Sequence, residues 1–258
     1  MDNNNSLQVI SPAVLAKAEQ DFSAVCTQAQ ELKLAENAGA AFRAVGVVTS
    51  LRQILTDEIM NAVFIPLMNT TVGFLTDHDP NKPNKQGVKP AAYSTGVVRD
   101  CLIDAVMKGV LPTGNQFNII ASRMYITNEG YSYLLKKLNV RHMISKAILP
   151  APPNAPFVDV KCCINYFLNG EVGKPFSITV QCKQDAYSSP DQIKGKADRK
   201  AKKTLYEFIT GEDVRDGDVV SADEDLPVDD QLQPAKQPSI EERKEAMRTS
   251  GAAPDKLL

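Results

Sequence analysis

Six basic side chains within Lys194–Lys203 are the residues with the clearest chemical potential. They fall in a predicted helix, because Ser189 and Gln192 form a capping-box pattern, Pro190 suits the first helical position and Gly211 suits a left-handed end. At about 100° per residue, a packed face and a cationic face separate. The predicted packed face comprises Ile193, Ala197, Ala201, Thr204, Leu205 and Phe208, and the cationic face comprises Lys196, Arg199, Lys200 and Lys203. Such a face is either a solvated surface or an anion-binding one.

The charge distribution favours an anionic partner. The chain of 258 residues has a formal net charge of -2, yet residues 123–203 carry 14 basic and 6 acidic groups, a net charge of +8. This local excess predicts a polyanion site. Cations at repeated spacing suit backbone phosphates, and an exposed aromatic ring suits base stacking. The further candidates are Arg123, Lys136, Lys137 and Arg141 for phosphates and Tyr125 for stacking, with Phe117, Tyr131 and Tyr133 as alternatives that could equally be core.

Enzyme chemistry is harder to assemble. His78 lies between Asp77 and Asp79 in a loop, where the three side chains either form a plain turn or bind a metal. Residues 170–175, GEVGKP, lack the glycine spacing and the Ser or Thr of a phosphate-binding loop. We therefore expect no nucleotide hydrolysis and no cofactor.

The cysteines and the chain's hydropathy predict a compartment. The five cysteines include the adjacent pair Cys162 and Cys163, and no CxxC spacing occurs, so we expect neither a disulfide framework nor zinc chemistry. No segment approaches 18 consecutive apolar residues, and the leader MDNNNSLQV lacks the pattern of a signal peptide. The sequence thus predicts a soluble, cytosolic protein.

Three helices are predicted before the basic region. The first begins at Ser11 and Pro12, the second covers residues 40–60, and the third covers residues 93–109. The apolar stripe of the second consists of Phe42, Val45, Val48, Leu51, Leu55 and Ile59. Residues 77–90 contain three prolines and predict an exposed loop, whose lysines Lys82, Lys85 and Lys89 are either solvated or phosphate contacts.

Strand patterns follow. Residues 116–126 are rich in strand formers, Thr127 caps a short helix over residues 128–138, and strands are predicted at 142–149, 157–168 and 176–182. Asn169 and Gly170 favour a hairpin turn, although the spacing to the next strand suggests a longer loop. The predicted fold class is α+β: N-terminal helices, then a small antiparallel sheet in β-β-β-α order that ends in the basic helix.

We predict three regions along the chain: a helical part over residues 1–112, a β-rich part over residues 113–217, and a tail over residues 218–258. The tail carries 5 basic and 10 acidic groups and little apolar content, as expected of a disordered segment. It could mimic a nucleic-acid strand, bind a partner, or serve as a solvated linker.

One stretch resembles a known family. CLIDAVMKGVLPTGNQFNIIASRMYITNEGYSYLLKKL, residues 101–138, combines a helix ending in a Gly-Val-Leu-Pro turn, a hairpin, and a helix opened by Glu129 and Gly130. Downstream, RKAKKTLYEF contains Lys202, Lys203 and Thr204 as a Lys-Lys-Thr motif. In the order and spacing of these features, the sequence resembles the RecT family of phage single-strand annealing proteins.

The resemblance implies an ATP-independent protein that binds single-stranded DNA, pairs complementary strands into duplex, and assembles into homo-oligomeric rings or filaments. It implies a cationic groove in the β-β-β-α region, oligomer contacts from residues 1–112, and a tail that contacts a host single-strand binding protein or a partner exonuclease in a bacterial cytoplasm. The expected DNA-binding residues are Arg123, Tyr125, Lys136, Lys137, Arg141, Lys194, Lys196, Arg199, Lys200, Lys202 and Lys203, with Lys194 and Lys202 nearer the packed face.

Two alternatives belong to other classes. One is a structural or assembly protein of a phage-like particle that contacts nucleic acid only incidentally. The other is a metal-dependent hydrolase that uses Asp77, His78 and Asp79.

Overall fold

The computed structural model describes residues 10–33, 39–83, 87–152, 155–185 and 187–212. All of them lie in the first of two compact units, Met1–Leu226, whereas the second unit, Pro227–Leu258, lies outside the described residues. The predicted tail and Lys85 also lie outside them.

Six α-helices occur in these ranges, and local caps define several of them. Ser94 and Thr127 accept hydrogen bonds from the backbone N–H of Val97 and Gly130, respectively, so each caps the N-terminus of a helix. The helices are α1 (Pro12–Lys33), α2 (Ala40–Ile54), α3 (Asp57–Ile59), α4 (Thr95–Met107), α5 (Asn128–Lys137) and α6 (Pro190–Thr210). The predicted first and third helices, the short helix after Thr127 and the basic helix are confirmed.

The predicted second helix is wrong in its length and its stripe. It ends at Ile54, because Thr56 adopts an extended conformation and caps α3 instead. The chain then continues through a π-helical turn, Met60–Phe64, and a 3-10 turn, Ile65–Leu67. The buried residues of α2 lie in its C-terminal half, whereas Phe42 is 84% exposed and Val45 is 66% exposed. Helical periodicity predicts which residues share a face of α2, but it cannot show that the rest of the protein buries only the C-terminal half of that face.

Seven strands form two sheets in the described residues. They are β1 (Leu75–Thr76), β2 (Phe117–Ile120), β3 (Arg123–Ile126), β4 (Val140–Ile148), β5 (Phe157–Leu168), β6 (Glu171–Val172) and β7 (Phe176–Lys183). The first sheet has the order β1-β2-β3, with β1 parallel to β2. In the second, β4, β6 and β7 all pair antiparallel with β5. The fold class is α+β, as predicted.

The second sheet is covered by α6 on one face. Burial alternates along β5, and Val160, Cys162 and Ile164 are fully buried while Asp159 and Lys161 on the other face are exposed. The β-β-β-α order is therefore present, with the two-residue β6 inserted before β7. Asn169 and Gly170, both at positive φ, form a tight turn into β6, so the predicted longer loop is replaced by a two-residue turn and a short strand.

Candidate nucleic-acid interface

Helix α6 begins and ends where the sequence predicts. The backbone N–H of Gln192 donates to Ser189 Oγ at 3.2 Å, and the N–H of Ser189 donates to Gln192 Oε1 at 3.0 Å, which completes the capping box. At the other end Gly211 has φ 70°, a left-handed conformation that glycine adopts without strain. Local chemistry thus fixes the register in which the helix presents its charges.

The packed face of α6 combines small and aliphatic side chains. Ala197, Ala201 and Leu205 are fully buried, and Ile193 is nearly so. Small residues let the helix lie close to the sheet, which places the long basic side chains beside neighbouring strands. One assignment is corrected: Phe208 is 61% exposed, and Tyr206 is buried in its place, because Tyr206 packs beside Tyr131 of α5 at a ring distance of 6.3 Å.

Four cations form what we call the α6 ridge: Lys196, Arg199, Lys200 and Lys203. At 3.6 residues per turn they lie within an arc of about 100° around the helix axis, roughly opposite the packed face. All four are half-buried at their bases. The structure therefore brings these predicted residues together on one surface, where long stems rest on the protein and amines reach outward.

Two of the ridge lysines hydrogen-bond to strand β7. Lys196 Nζ donates to the carbonyl oxygen of Lys183 at 3.3 Å, and Lys200 Nζ donates to that of Gln181 at 2.6 Å. Both acceptors are neutral and both amines are exposed. A phosphate is a stronger acceptor than a carbonyl, since charge-assisted hydrogen bonds are roughly twice as strong. These amines can therefore exchange a carbonyl for a phosphate.

The other two ridge cations contact different neighbours. Arg199 Nη1 donates to the carbonyl oxygen of Ile126, at the end of β3, at 3.4 Å. Lys203 Nζ lies 3.7 Å from Glu207 Oε1, one turn along the same helix. The two side chains are 24% and 25% exposed, so this ion pair is partly buried. Glu207 does reduce the net charge of the ridge.

Lys202 is not part of the ridge. Its side chain is 12% exposed, and its amine donates to Asp198 Oδ2 at 2.8 Å and to Asn128 Oδ1 at 2.9 Å. Asp198 also accepts a hydrogen bond from Lys146 of β4. Burial alone would raise the pKa of Asp198, but the hydrogen bonds from Lys146 and Lys202 outweigh it and lower that pKa. The prediction that Lys202 binds DNA is wrong. Its amine is held inside the protein by Asp198 and Asn128.

His142 lies beside this ion network. Burial, and then the charge of Lys202, lower its pKa, while Asp198 acts in the opposite direction. The neutral imidazole is therefore favoured between two lysines. The strand predicted over residues 142–149 begins with His142, which occupies the inward row of β4.

Arg141 lies on the opposite side of the sheet from the ridge. Along β4, Val140, His142 and Lys146 point towards α6, so by alternation Arg141 points away from it and is exposed. Its cross-strand neighbour is Phe167, which is 45% exposed. The positions of Arg141 and α6 therefore do not support the prediction that both bind the same DNA strand.

The predicted cations Lys136 and Lys137 of α5 and Lys194 of α6 lie outside the α6 ridge. Lys136 and Lys137 are exposed at the end of α5, where Lys137 Nζ lies 5.4 Å from the centroid of the Tyr133 ring. Burial lowers the pKa of Lys137. Lys194 is half-buried next to the packed face, as the sequence predicted.

Arg123 and Tyr125 lie two residues apart on β3, so they share a face of the strand, but they differ in exposure. Arg123 is exposed beside the Ala121–Ser122 turn, whereas Tyr125 is 6% exposed. A buried ring cannot stack on a base at the surface, so the stacking role predicted for Tyr125 is corrected. Phe117 and Tyr131, the alternatives named from the sequence, are fully buried as well, and Tyr133 is half-buried.

The Asp77–Asp79 loop is built into the first sheet. Asp77 accepts a hydrogen bond from Tyr93 Oη at 2.6 Å and one from the Ala121 N–H at 3.0 Å. The His78 ring stacks on that of Tyr93 at 4.4 Å, and burial together with Asp77 raises the pKa of Tyr93 to about 12. These contacts hold Ala121 and Ser122, which both have positive φ. In the described residues no group of three or more His, Cys, Asp or Glu side chains is arranged to hold a metal.

All five cysteines lie in the described residues without a disulfide bond, and four of them are buried. Burial raises the pKa of Cys162 to about 11 and that of Cys101 to about 12, so neither is a reactive thiolate at neutral pH.

Lys146 is the residue that sequence reasoning missed. It interrupts the inward apolar row of β4, and its cross-strand neighbour is the buried Cys162. A lysine that points into the core requires an anionic partner. The sequence signal for that partner was Asp198, an acidic residue among the basic residues of α6.

Comparisons with protein-family models, curated proteins and solved structures found no significant match to this chain. No helix in the described ranges has the length and apolar character needed to cross a membrane.

Proposed function

We propose that this chain is a RecT-like annealing protein, which binds single-stranded DNA along the α6 ridge and pairs complementary strands without ATP. The observation that carries the proposal is the arrangement of four cations, the α6 ridge, on one face of a capped helix. The RecT-like motifs in residues 101–138 and 202–204 support the same function.

The chemistry of annealing requires no cofactor. Ridge cations reduce the repulsion between two phosphate backbones, and a matched duplex gains about 1.4 kcal/mol per stacked step. Base pairing thus supplies the free energy. Five cysteines without a disulfide bond are compatible with the cytoplasmic location that belongs to this proposal.

Charge removal on the ridge tests the proposal. Arg199→Gln with Lys203→Glu should weaken single-stranded DNA binding roughly tenfold and reduce the slope of log affinity against log salt by about 1.4, two contacts at about 0.7 each. Both substitutions lie outside the buried packed face of α6, and circular dichroism checks that the fold is unchanged. Fluorescence anisotropy over a salt series measures both values, and annealing of complementary oligonucleotides without nucleotide should fall in parallel.

The matched control lies on the other face of the sheet. Arg141→Gln with Lys161→Glu makes the same change in charge at two exposed positions that point away from α6. Binding and annealing should stay at the wild-type level. If both double variants lose the same DNA affinity, the overall positive charge and not the α6 ridge determines binding. If only the control variant loses affinity, the binding site lies on the outer face of the sheet. A wild-type protein that binds but never anneals would favour the assembly-protein alternative.

A further inference from the structure

Strand β7 forms an open edge of the second sheet. The N–H of Gln184 donates to the Pro156 carbonyl at 2.9 Å, which places that pair in ladder bonding between β7 and β5. Hydrogen bonding alternates along an antiparallel strand, so the even residues of β7 bond β5 and the odd residues direct their N–H and C=O groups to the open side. These odd residues are Ser177, Thr179, Gln181 and Lys183.

Two ridge lysines occupy this edge. The acceptors of Lys196 and Lys200 are the carbonyls of Lys183 and Gln181, which belong to the outward set. Lysine is a residue that natural proteins use to protect sheet edges against pairing with another chain. The same two amines therefore cover the edge and belong to the surface proposed to bind phosphate.

Strand β4 forms the other edge. The N–H of Leu149 donates to the Asp159 carbonyl at 2.8 Å, so by the same alternation the odd residues of β4 bond β5 and the even residues face outward. These are Val140, His142, Ile144, Lys146 and Ile148. In the described part of the chain, the backbone groups of 142, 144, 146 and 148 make no hydrogen bond on that side. The two edges are similar in length.

We propose that the β7 edge pairs with the β4 edge of a second copy of this chain, and that Lys196 and Lys200 cover it until phosphates draw their amines away. The trigger rests on the proposed DNA-binding function, whereas the edge pairing does not. Phosphate competes well with the carbonyls because its hydrogen bonds to ammonium are charge-assisted. Released carbonyls then accept N–H groups from the partner's strand.

The geometry determines the kind of assembly. A contact between β7 of one copy and β4 of the next joins two different edges of the sheet. Both strands run antiparallel to β5 and hence parallel to each other. Such a contact is heterologous, and repeating it gives a ring or an open filament rather than a closed dimer. DNA binding and assembly are therefore coupled through two side chains.

Three variants of the full chain test the proposal by light scattering, with and without a single-stranded oligonucleotide. Lys196→Met with Lys200→Met removes the cover and should assemble without DNA, while the wild type stays at 28.2 kDa until DNA is added. Thr179→Pro removes an outward N–H without touching the β5 ladder, so it should bind DNA but not assemble. Thr179→Val keeps the N–H and should behave as wild type.

Each result decides one part. DNA-induced assembly of Thr179→Pro to the wild-type size would overturn the edge contact, and so would a wild type that binds DNA yet stays monomeric. A Lys196→Met, Lys200→Met protein that stays monomeric would overturn the lysine cover. If the wild type binds no DNA, the proposed function fails, but assembly of the double-methionine variant would still support the edge. Circular dichroism of Thr179→Pro separates loss of pairing from loss of fold.

Discussion

Basic residues of one helix have three different roles at the residue scale. Lys196 and Lys200 lie at a sheet edge, Lys203 pairs within the helix, and Lys202 joins Asp198 in a largely buried ion network. Asp198 is the only carboxylate that contacts two lysines among the described ion pairs. The network fixes α6 on β4, while the ridge charges stay at the surface.

Asp198→Ala should therefore reduce the free energy of unfolding by about 3–5 kcal/mol, because it leaves two lysines largely buried without their anion. Chemical denaturation measures the change. Asp100→Ala is the matched control: it breaks the Arg52–Asp100 pair, whose side chains are 61% and 63% exposed. Its effect should stay below about 1 kcal/mol. A similar small loss for Asp198→Ala would mean that the network is hydrated and contributes little.

At the element scale, the contact between α5 and the first sheet depends on a glycine. A β-carbon on Gly130 would collide with the carbonyl oxygen of Gln116 and with the Ile126 side chain. Only glycine lets the first turn of α5 lie against the backbone before β2. This close contact is the physical reason for a glycine after Glu129 at the start of α5.

Gly130→Ala should accordingly destabilise the protein by about 3 kcal/mol through overpacking, although alanine favours helices. The control is Gly195→Ala in α6, where a β-carbon meets no atom within 4 Å. That variant should gain about 0.5–1 kcal/mol from helix propensity. Thermal or denaturant unfolding compares the two, and the same sign for both substitutions would refute the proposed close contact at Gly130.

At the scale of the whole molecule, charge is segregated along the chain. Residues 123–203 carry a net charge of +8, and residues 218–258, which follow α6 in sequence, carry a net charge of -5. A tethered acidic segment has a high effective concentration near its own chain and could compete with DNA. Tail mimicry, partner binding and a solvated linker make different predictions for its removal.

Under the mimic hypothesis, deletion of residues 218–258 should tighten single-stranded DNA binding several-fold at low salt, with the difference vanishing as salt screens the tail. Anisotropy titrations of the two proteins measure this. A tail of equal length with Asn and Gln in place of Asp and Glu separates charge from length. Unchanged affinity after deletion would reject the hypothesis and leave partner binding or a linker.

Much of the fold could be predicted because it depends on neighbours in sequence. The capped helices α4, α5 and α6 and the alternation of β5 follow from side chains within a few residues of each other. The candidate site was less predictable. Tyr125 carries a suitable ring but lies inward, and Arg141 carries a suitable charge on the wrong face.

The sequence by itself determined the ends of α6, the positions of its cations around the helix axis and the strand order that precedes it. Only the tertiary structure decided which cations remain at the surface, because each fate depends on a neighbour distant in sequence. Lys146 of β4 pairs with Asp198, Lys196 and Lys200 donate to backbone carbonyls of β7, and Arg199 donates to the carbonyl of Ile126. Helical periodicity determines the direction in which each side chain of α6 points, but the packing of the other elements determines which groups it contacts.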